Sequence, residues 1–120
     1  MLDHLGIAVK DPQKSKEFYL KALKPLGYGI VMEFETAVGF GPKGKPAFWV
    51  APGNASGPIH LAFIAADRSQ VDAFYEAAIQ AGGRDNGKPG IRAHYHPDYY
   101  GAFVFDLDGN NIEAVCHKPA

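Results

Sequence analysis

Along residues 3–9, apolar and small or polar positions alternate. Leu5, Ile7 and Val9 share one face of an extended segment, and His4, Gly6 and Ala8 share the other, which predicts a strand. Asp11-Pro12 then reads as a helix N-cap followed by a first-turn proline. Phe18, Tyr19, Ala22 and Leu23 follow at helical spacing, and Gly27 and Gly29 close that region. Residues 30–35, 37–41 and 46–51 predict three short strands, the last two joined through Gly41-Pro42-Lys43-Gly44.

The same order then recurs. Shifting the chain by 56 positions lays His4-Leu5 on His60-Leu61, Asp11 on Asp67, Phe18-Tyr19 on Phe74-Tyr75, Ala22 on Ala78 and Gly27 on Gly83. Residues 59–65 predict a strand with Leu61 and Phe63 on one face and His60, Ala62 and Ile64 on the other. Asp67 or Ser69 caps a helix carrying Val71, Phe74, Tyr75, Ala78 and Ile79, stopped by Gly82-Gly83. Strands are predicted over 90–95, 101–106 and 111–117, with Asp108-Gly109 as the hairpin signal between the last two. The reading is one α+β domain over 1–120, built from tandem β-α-β-β-β modules with mixed four-stranded sheets. Module one covers about 1–53, module two about 58–118, and 54–58 links them.

Composition narrows the function classes. With 120 residues, 47% of them hydrophobic, the chain can bury roughly two thirds of its unfolded surface in one core. Twelve Lys and Arg against 13 Asp and Glu leave a formal charge of −1, which argues against a nucleic-acid binder. No apolar run approaches the ~20 residues of a membrane helix, and the N-terminus lacks the pattern of a signal peptide. The one cysteine, Cys116, excludes an intrachain disulfide and a multi-cysteine zinc site, so a reducing, cytoplasmic setting is expected.

His4 and His60 hold the same repeat position, each beside small residues that leave space above the sheet. Two structural histidines carried along by duplication would look the same. Glu113 shifts the balance. It stands between apolar neighbours in Asn111-Ile112-Glu113-Ala114-Val115, on the face opposite Ile112, Ala114 and Cys116. A mid-strand carboxylate is costly to bury unless paired or bound to a metal; the bland alternative is an edge strand in water. Two imidazoles and one carboxylate form a facial-triad ligand set, favouring Fe(II) and also fitting Mn, Zn, Ni or Co.

Together, Leu2-Asp3-His4-Leu5-Gly6-Ile7-Ala8-Val9, Asp11-Pro12 with Phe18-Tyr19, Ile59-His60-Leu61-Ala62-Phe63 and Phe105-Asp106-Leu107-Asp108-Gly109-Asn110-Asn111-Ile112-Glu113 resemble the vicinal oxygen chelate superfamily. That superfamily includes glyoxalase I, extradiol dioxygenases, and fosfomycin- and bleomycin-resistance proteins. The resemblance spans essentially the whole chain and is specific for fold rather than reaction. It implies paired modules curled into a half-open barrel. It also implies a divalent metal held by His4, His60 and Glu113 that chelates vicinal oxygens of a small substrate, and a homodimer. The reaction class it implies is a lyase, isomerase or dioxygenase step. The alternative is a metal-free binding protein of the bleomycin-resistance type.

One departure from the family pattern concerns a fourth ligand. Glu113 lies four residues after Gly109, and four residues after Gly44 of the matching hairpin stands Phe48. Glyoxalase I-like members carry a carboxylate in that strand as ligand and base, a role open neither to Phe48 nor to Trp49 beside it. His94, His96 or Tyr100 would then have to carry the proton. His94-Tyr95-His96 is expected to place both imidazoles on one strand face. In the Tyr99-Tyr100 pair, one hydroxyl is expected to serve as hydrogen-bond donor. Phe40, Phe48, Trp49 and Tyr100 are candidate pocket walls, and Arg92 is a candidate partner for an anionic substrate. Exposed strand histidines, core aromatics and a solvated arginine are the ordinary explanations of the same residues.

Overall fold

A computed structural model describes residues 1–54 and 58–120, so most of the predicted linker, at 55–57, lies outside the described residues. Module one runs β1 (Leu5–Val9), α1 (Pro12–Leu23), β2 (Gly29–Glu33), β3 (Val38–Gly41) and β4 (Phe48–Pro52). Module two repeats it as β5 (His60–Ile64), α2 (Arg68–Gln80), β6 (Arg84–Ile91), β7 (Tyr100–Phe105) and β8 (Asn111–Cys116). The sheets have orders β1-β4-β3-β2 and β5-β8-β7-β6. In each, the first strand pairs in parallel with the last and the other pairings are antiparallel. The sheets are mixed, as expected, and do not close into a barrel. Among the described residues no helix is long and apolar enough to cross a membrane.

Both helices start on an aspartate in the same repeat position. Asp11 accepts from the Lys14 amide at 3.1 Å and Asp67 from the Gln70 amide at 2.9 Å, so Asp67 is the cap and Ser69 donates to it. A short 3-10 turn at Lys24–Leu26 follows α1 and ends at Gly27, whose φ of 86° suits a residue without Cβ. Each helix turns its apolar stripe onto its sheet. Phe18, Tyr19, Ala22, Leu23, Val71, Phe74 and Ala78 are buried.

The modules share one core. Phe63 of β5 packs edge-on against Phe48 of β4, with ring centres 5.4 Å apart, and against Tyr28 at the same distance. Tyr19 of α1 reaches across to the β7–β8 hairpin, where its hydroxyl donates to Asp106. Lys10 adds a backbone donor to Asp108 at 3.1 Å. The Phe105–Asn111 segment that carries much of the family resemblance is thus a built turn. Asp106 is buried and also accepts from the amides of Asp108 and Asn110, while Gly109 takes φ 85°.

Burial and the adjacent Asp106 charge push the Tyr19 phenol well above its usual value of 10.0. The folded state therefore keeps a proton that the unfolded chain loses, and stability falls as pH rises past that value. Replacing Tyr19 with Phe should flatten this alkaline slope by up to about 1.4 kcal/mol per pH unit, read from denaturant midpoints on either side of it.

One expected element differs. The strand predicted over 90–95 is instead β6 at Arg84–Ile91, and residues 92–99 form a turn. Asn86-Gly87-Lys88-Pro89-Gly90 is rich in residues that disfavour strands, yet β6 is an edge strand, where proline is tolerated, and its pairing with β7 is irregular around Gly87. The turn closes through Tyr95 N donating to Arg92 O at 2.9 Å and Arg92 N to Tyr99 O at 2.7 Å.

Candidate functional site

On β8, Ile112, Ala114 and Cys116 point into the core beneath the helix, and Glu113 stands on the opposite, open face of the sheet. Its side chain is only 1% exposed. Two neighbours cover it. His60, in register beside Asn111 at the start of β5, places Nε2 2.7 Å from Glu113 Oε1. Tyr99 donates its hydroxyl to Oε2. Gly101 makes this possible, since a Cβ there would stand 3.2 Å from the Tyr99 ring and 3.4 Å from Oε2. Burial, and then the bond to Glu113, push the Tyr99 phenol far above its ordinary value, so the hydroxyl stays a donor at neutral pH.

A cleft of about 400 Å³ opens beside this pair, lined by Asn86, Arg92, His94, Tyr95, Phe103 and Asn111. Phe103 is the register partner of Glu113 and lies between the two regions, with the His60 ring centre 6.2 Å away and the Arg92 guanidinium 5.3 Å above its face. Above the turn, Tyr95 packs on Tyr99 at 5.0 Å and Tyr99 on His117 at 5.1 Å.

The expected residues divide. His60 and Glu113 meet. His4 does not join them: it is exposed, just ahead of β1, with Nδ1 2.9 Å from Asp3. Lys45 first, and then His4, hold the Asp3 carboxyl below its usual range. Among the described residues, no three His, Cys, Asp or Glu side chains gather closely enough to hold a metal. The donor set fits a facial triad in kind, and one chain brings together two of its three members.

His94 and His96 do not share a strand face, because both lie in the 92–99 turn. His94 lines the cleft, whereas His96 packs on His117 and accepts from the Asp98 amide at its Nδ1. Tyr100 lies on the helix side, donating to Asp72 of α2 at 2.6 Å beneath the Arg68 guanidinium. The catalytic and pocket roles expected for it do not fit that placement, and of the adjacent tyrosines Tyr99 is the one that meets the carboxylate. Phe40 and Phe48 are core residues, 0% and 1% exposed, and are not in the lining of the cleft beside Glu113.

The fourth position also moves by one residue. Gly6 pairs with Trp49 as Ala62 pairs with Glu113, and Gly6 and Ala62 are repeat mates. Trp49, not Phe48, is therefore the counterpart of Glu113: the turn before β4, at 42–47, is one residue longer than the turn before β8, at 106–110, so Trp49 lies five residues after Gly44 whereas Glu113 lies four after Gly109. The indole lies across Gly39, whose Cβ would come within 3.0 Å of it, and stacks at 12° on the exposed Phe34. No carboxylate occupies that position in module one. Asn111 stood inside the hairpin motif without a role of its own, and Phe34 in no motif; only their places beside His60 and Trp49 single them out.

The fold has known counterparts. The family model described as the Glyoxalase/Bleomycin resistance protein/Dioxygenase superfamily matches residues 1–114. A comparison with curated proteins finds no match. Among solved structures, a glyoxalase/bleomycin resistance protein from Albidiferax ferrireducens is 30% identical, covers 99% of both chains and superposes with a TM-score of 0.84. A glyoxalase/bleomycin resistance protein/dioxygenase family enzyme from Burkholderia phytofirmans is 19% identical, with 97% of this chain and 98% of its own covered and a TM-score of 0.75. A domain of the same description from Frankia is 16% identical, with 98% of each chain covered and a TM-score of 0.72, and like the Burkholderia enzyme shows the shared fold. By its matched length and its doubled module, this chain belongs to the glyoxalase/bleomycin resistance protein/dioxygenase superfamily.

Proposed function

We propose that this protein is a metal-dependent enzyme that binds a small substrate through adjacent oxygens at the His60–Glu113 pair. The observation that carries the reading is Glu113 itself. It is a carboxylate with 1% exposure on the open face of a sheet, bonded to an imidazole that is 54% exposed. Burying a charge there costs stability unless it is paired or bound, and the accessible imidazole leaves a way in. His60 and Glu113 would hold the metal within one chain, and His4 of a second copy would complete the set in a homodimer. The metal, when bound, supplies a Lewis acid that stabilises enolate- or catecholate-like charge. Tyr99 holds Glu113 in place and offers a hydroxyl that keeps its proton. His94, at the cleft, is positioned to carry a proton to or from the substrate, the task that Trp49 cannot take.

Elemental analysis of protein never exposed to chelator or nickel resin tests this. About one metal per chain is expected, with loss in His4→Ala and in His60→Ala. Mixing the two variants should restore part of the content, because a mixed dimer regains one complete site. A parent protein without metal after reconstitution with iron, manganese, zinc and nickel would favour the second reading, a metal-free binder. That reading draws on the Trp49–Phe34 stack over Gly39, a flat aromatic surface suited to a planar ligand, and is checked by Trp49 fluorescence.

A further inference from the structure

We infer that the cleft beside Glu113 takes a substrate bearing a carboxylate, and that Arg92 holds it; this rests on the reading of that cleft as the substrate site. Among the described residues, no Asp or Glu forms an ion pair with Arg92. The cleft lining adds His94 and two amides and contains no acid. A cation in an acid-free recess attracts an anion, and a planar guanidinium matches a carboxylate better than it matches a point charge.

The arginine is also held in place. One Nη2 bond goes to the Lys88 carbonyl at 2.7 Å, and the guanidinium carbon lies over the Phe103 ring. A Cβ on Gly87 would stand 3.1 Å from Nη2, and one on Gly90 would stand 3.1 Å from Nη1. The glycines of β6, otherwise poor strand residues, thus leave the space that the guanidinium fills. The Asn111 Oδ1 at the cleft is buried without a hydrogen-bond partner among the described residues; as an acceptor it suits a donor elsewhere on the substrate, such as a hydroxyl, and leaves the carboxylate to Arg92. Arg92 and His60 flank the same Phe103 ring, so a substrate anchored at Arg92 extends toward the Glu113 pair.

The test titrates the full chain with benzoate and with benzyl alcohol, a neutral probe of similar size. Binding is followed by NMR at the Arg92 Nε–H and the His60 imidazole, as purified and again with EDTA. Benzoate is expected to bind about tenfold tighter than benzyl alcohol in both conditions, the order of effect of one charge-assisted pair. Arg92→Met should bring the two probes to within about twofold, and Gly90→Ala, which crowds Nη1 and leaves the charge, should weaken benzoate about threefold. Equal binding of the probes, no benzoate binding, or a preference that survives Arg92→Met overturns the proposal. The EDTA arm separates it from the metal reading: an Arg92-dependent preference there stands even if the purified protein holds no metal. A protein that holds metal but shows no such preference refutes the carboxylate alone.

Discussion

Replacing Glu113 with Gln is expected to lower metal affinity at least about 100-fold while leaving the fold intact. Losing a hydrogen-bonding partner outside the ligands already costs about 10- to 100-fold in metal sites, and this change removes a ligand's charge. The folded state has little reason to object. The substituted glutamine side chain retains an oxygen to accept from Tyr99 and an amide to face His60, and the strand loses a buried charge. Metal titration and thermal unfolding, run side by side, decide between two roles. A binding carboxylate predicts lost affinity with an unchanged or higher melting temperature. A purely structural carboxylate predicts the reverse: a lower melting temperature and unchanged metal content. Tyr99→Phe should fall between them, weakening binding less because both ligand atoms of Glu113 remain.

Asp106→Ala is expected to be the most destabilising single change at this turn, costing about 3–5 kcal/mol. Asp106 is 4% exposed. Besides the Tyr19 hydroxyl it accepts from Asp108 N at 2.9 Å, Asn110 N at 2.8 Å and Asn110 Nδ2 at 3.0 Å. Alanine would leave those donors buried and unanswered, which costs more than the bonds themselves contributed. A domain of ordinary stability has about 5–15 kcal/mol in all, so the loss takes much of its margin. Urea unfolding measures it. A loss below about 1 kcal/mol would mean that water satisfies the turn and that the bridge from α1 to the β7–β8 hairpin does not couple the modules. The Tyr19→Phe loss at neutral pH should not add to it, since both changes break the same bridge.

This chain's sequence by itself determined the doubled β-α-β-β-β order, the Asp11 cap, the closing hairpin and the face on which Glu113 stands; the second cap it narrowed to Asp67 or Ser69. Those features are local. A cap needs one side chain and the amide three residues on, and a strand's faces follow from a side-chain period of two. The repeat marked His60 and the apolar setting of its strand marked Glu113, and the two meet because β5 and β8 pair directly. Tertiary structure decided the rest. One additional residue in the turn before β4 reverses which side chain faces outward, so Trp49 and not Phe48 answers Glu113, a parity that only strand register reveals. Of Tyr99 and Tyr100, adjacent in sequence, one meets the carboxylate and the other meets Asp72, since neighbours leave a strand edge in opposite directions. Pairing along an edge made a strand of the glycine-rich 84–91 segment and left His94 and His96 in a turn. The separation of His4 from His60 is a matter of how two sheets lie in space, which no repeat within the chain encodes.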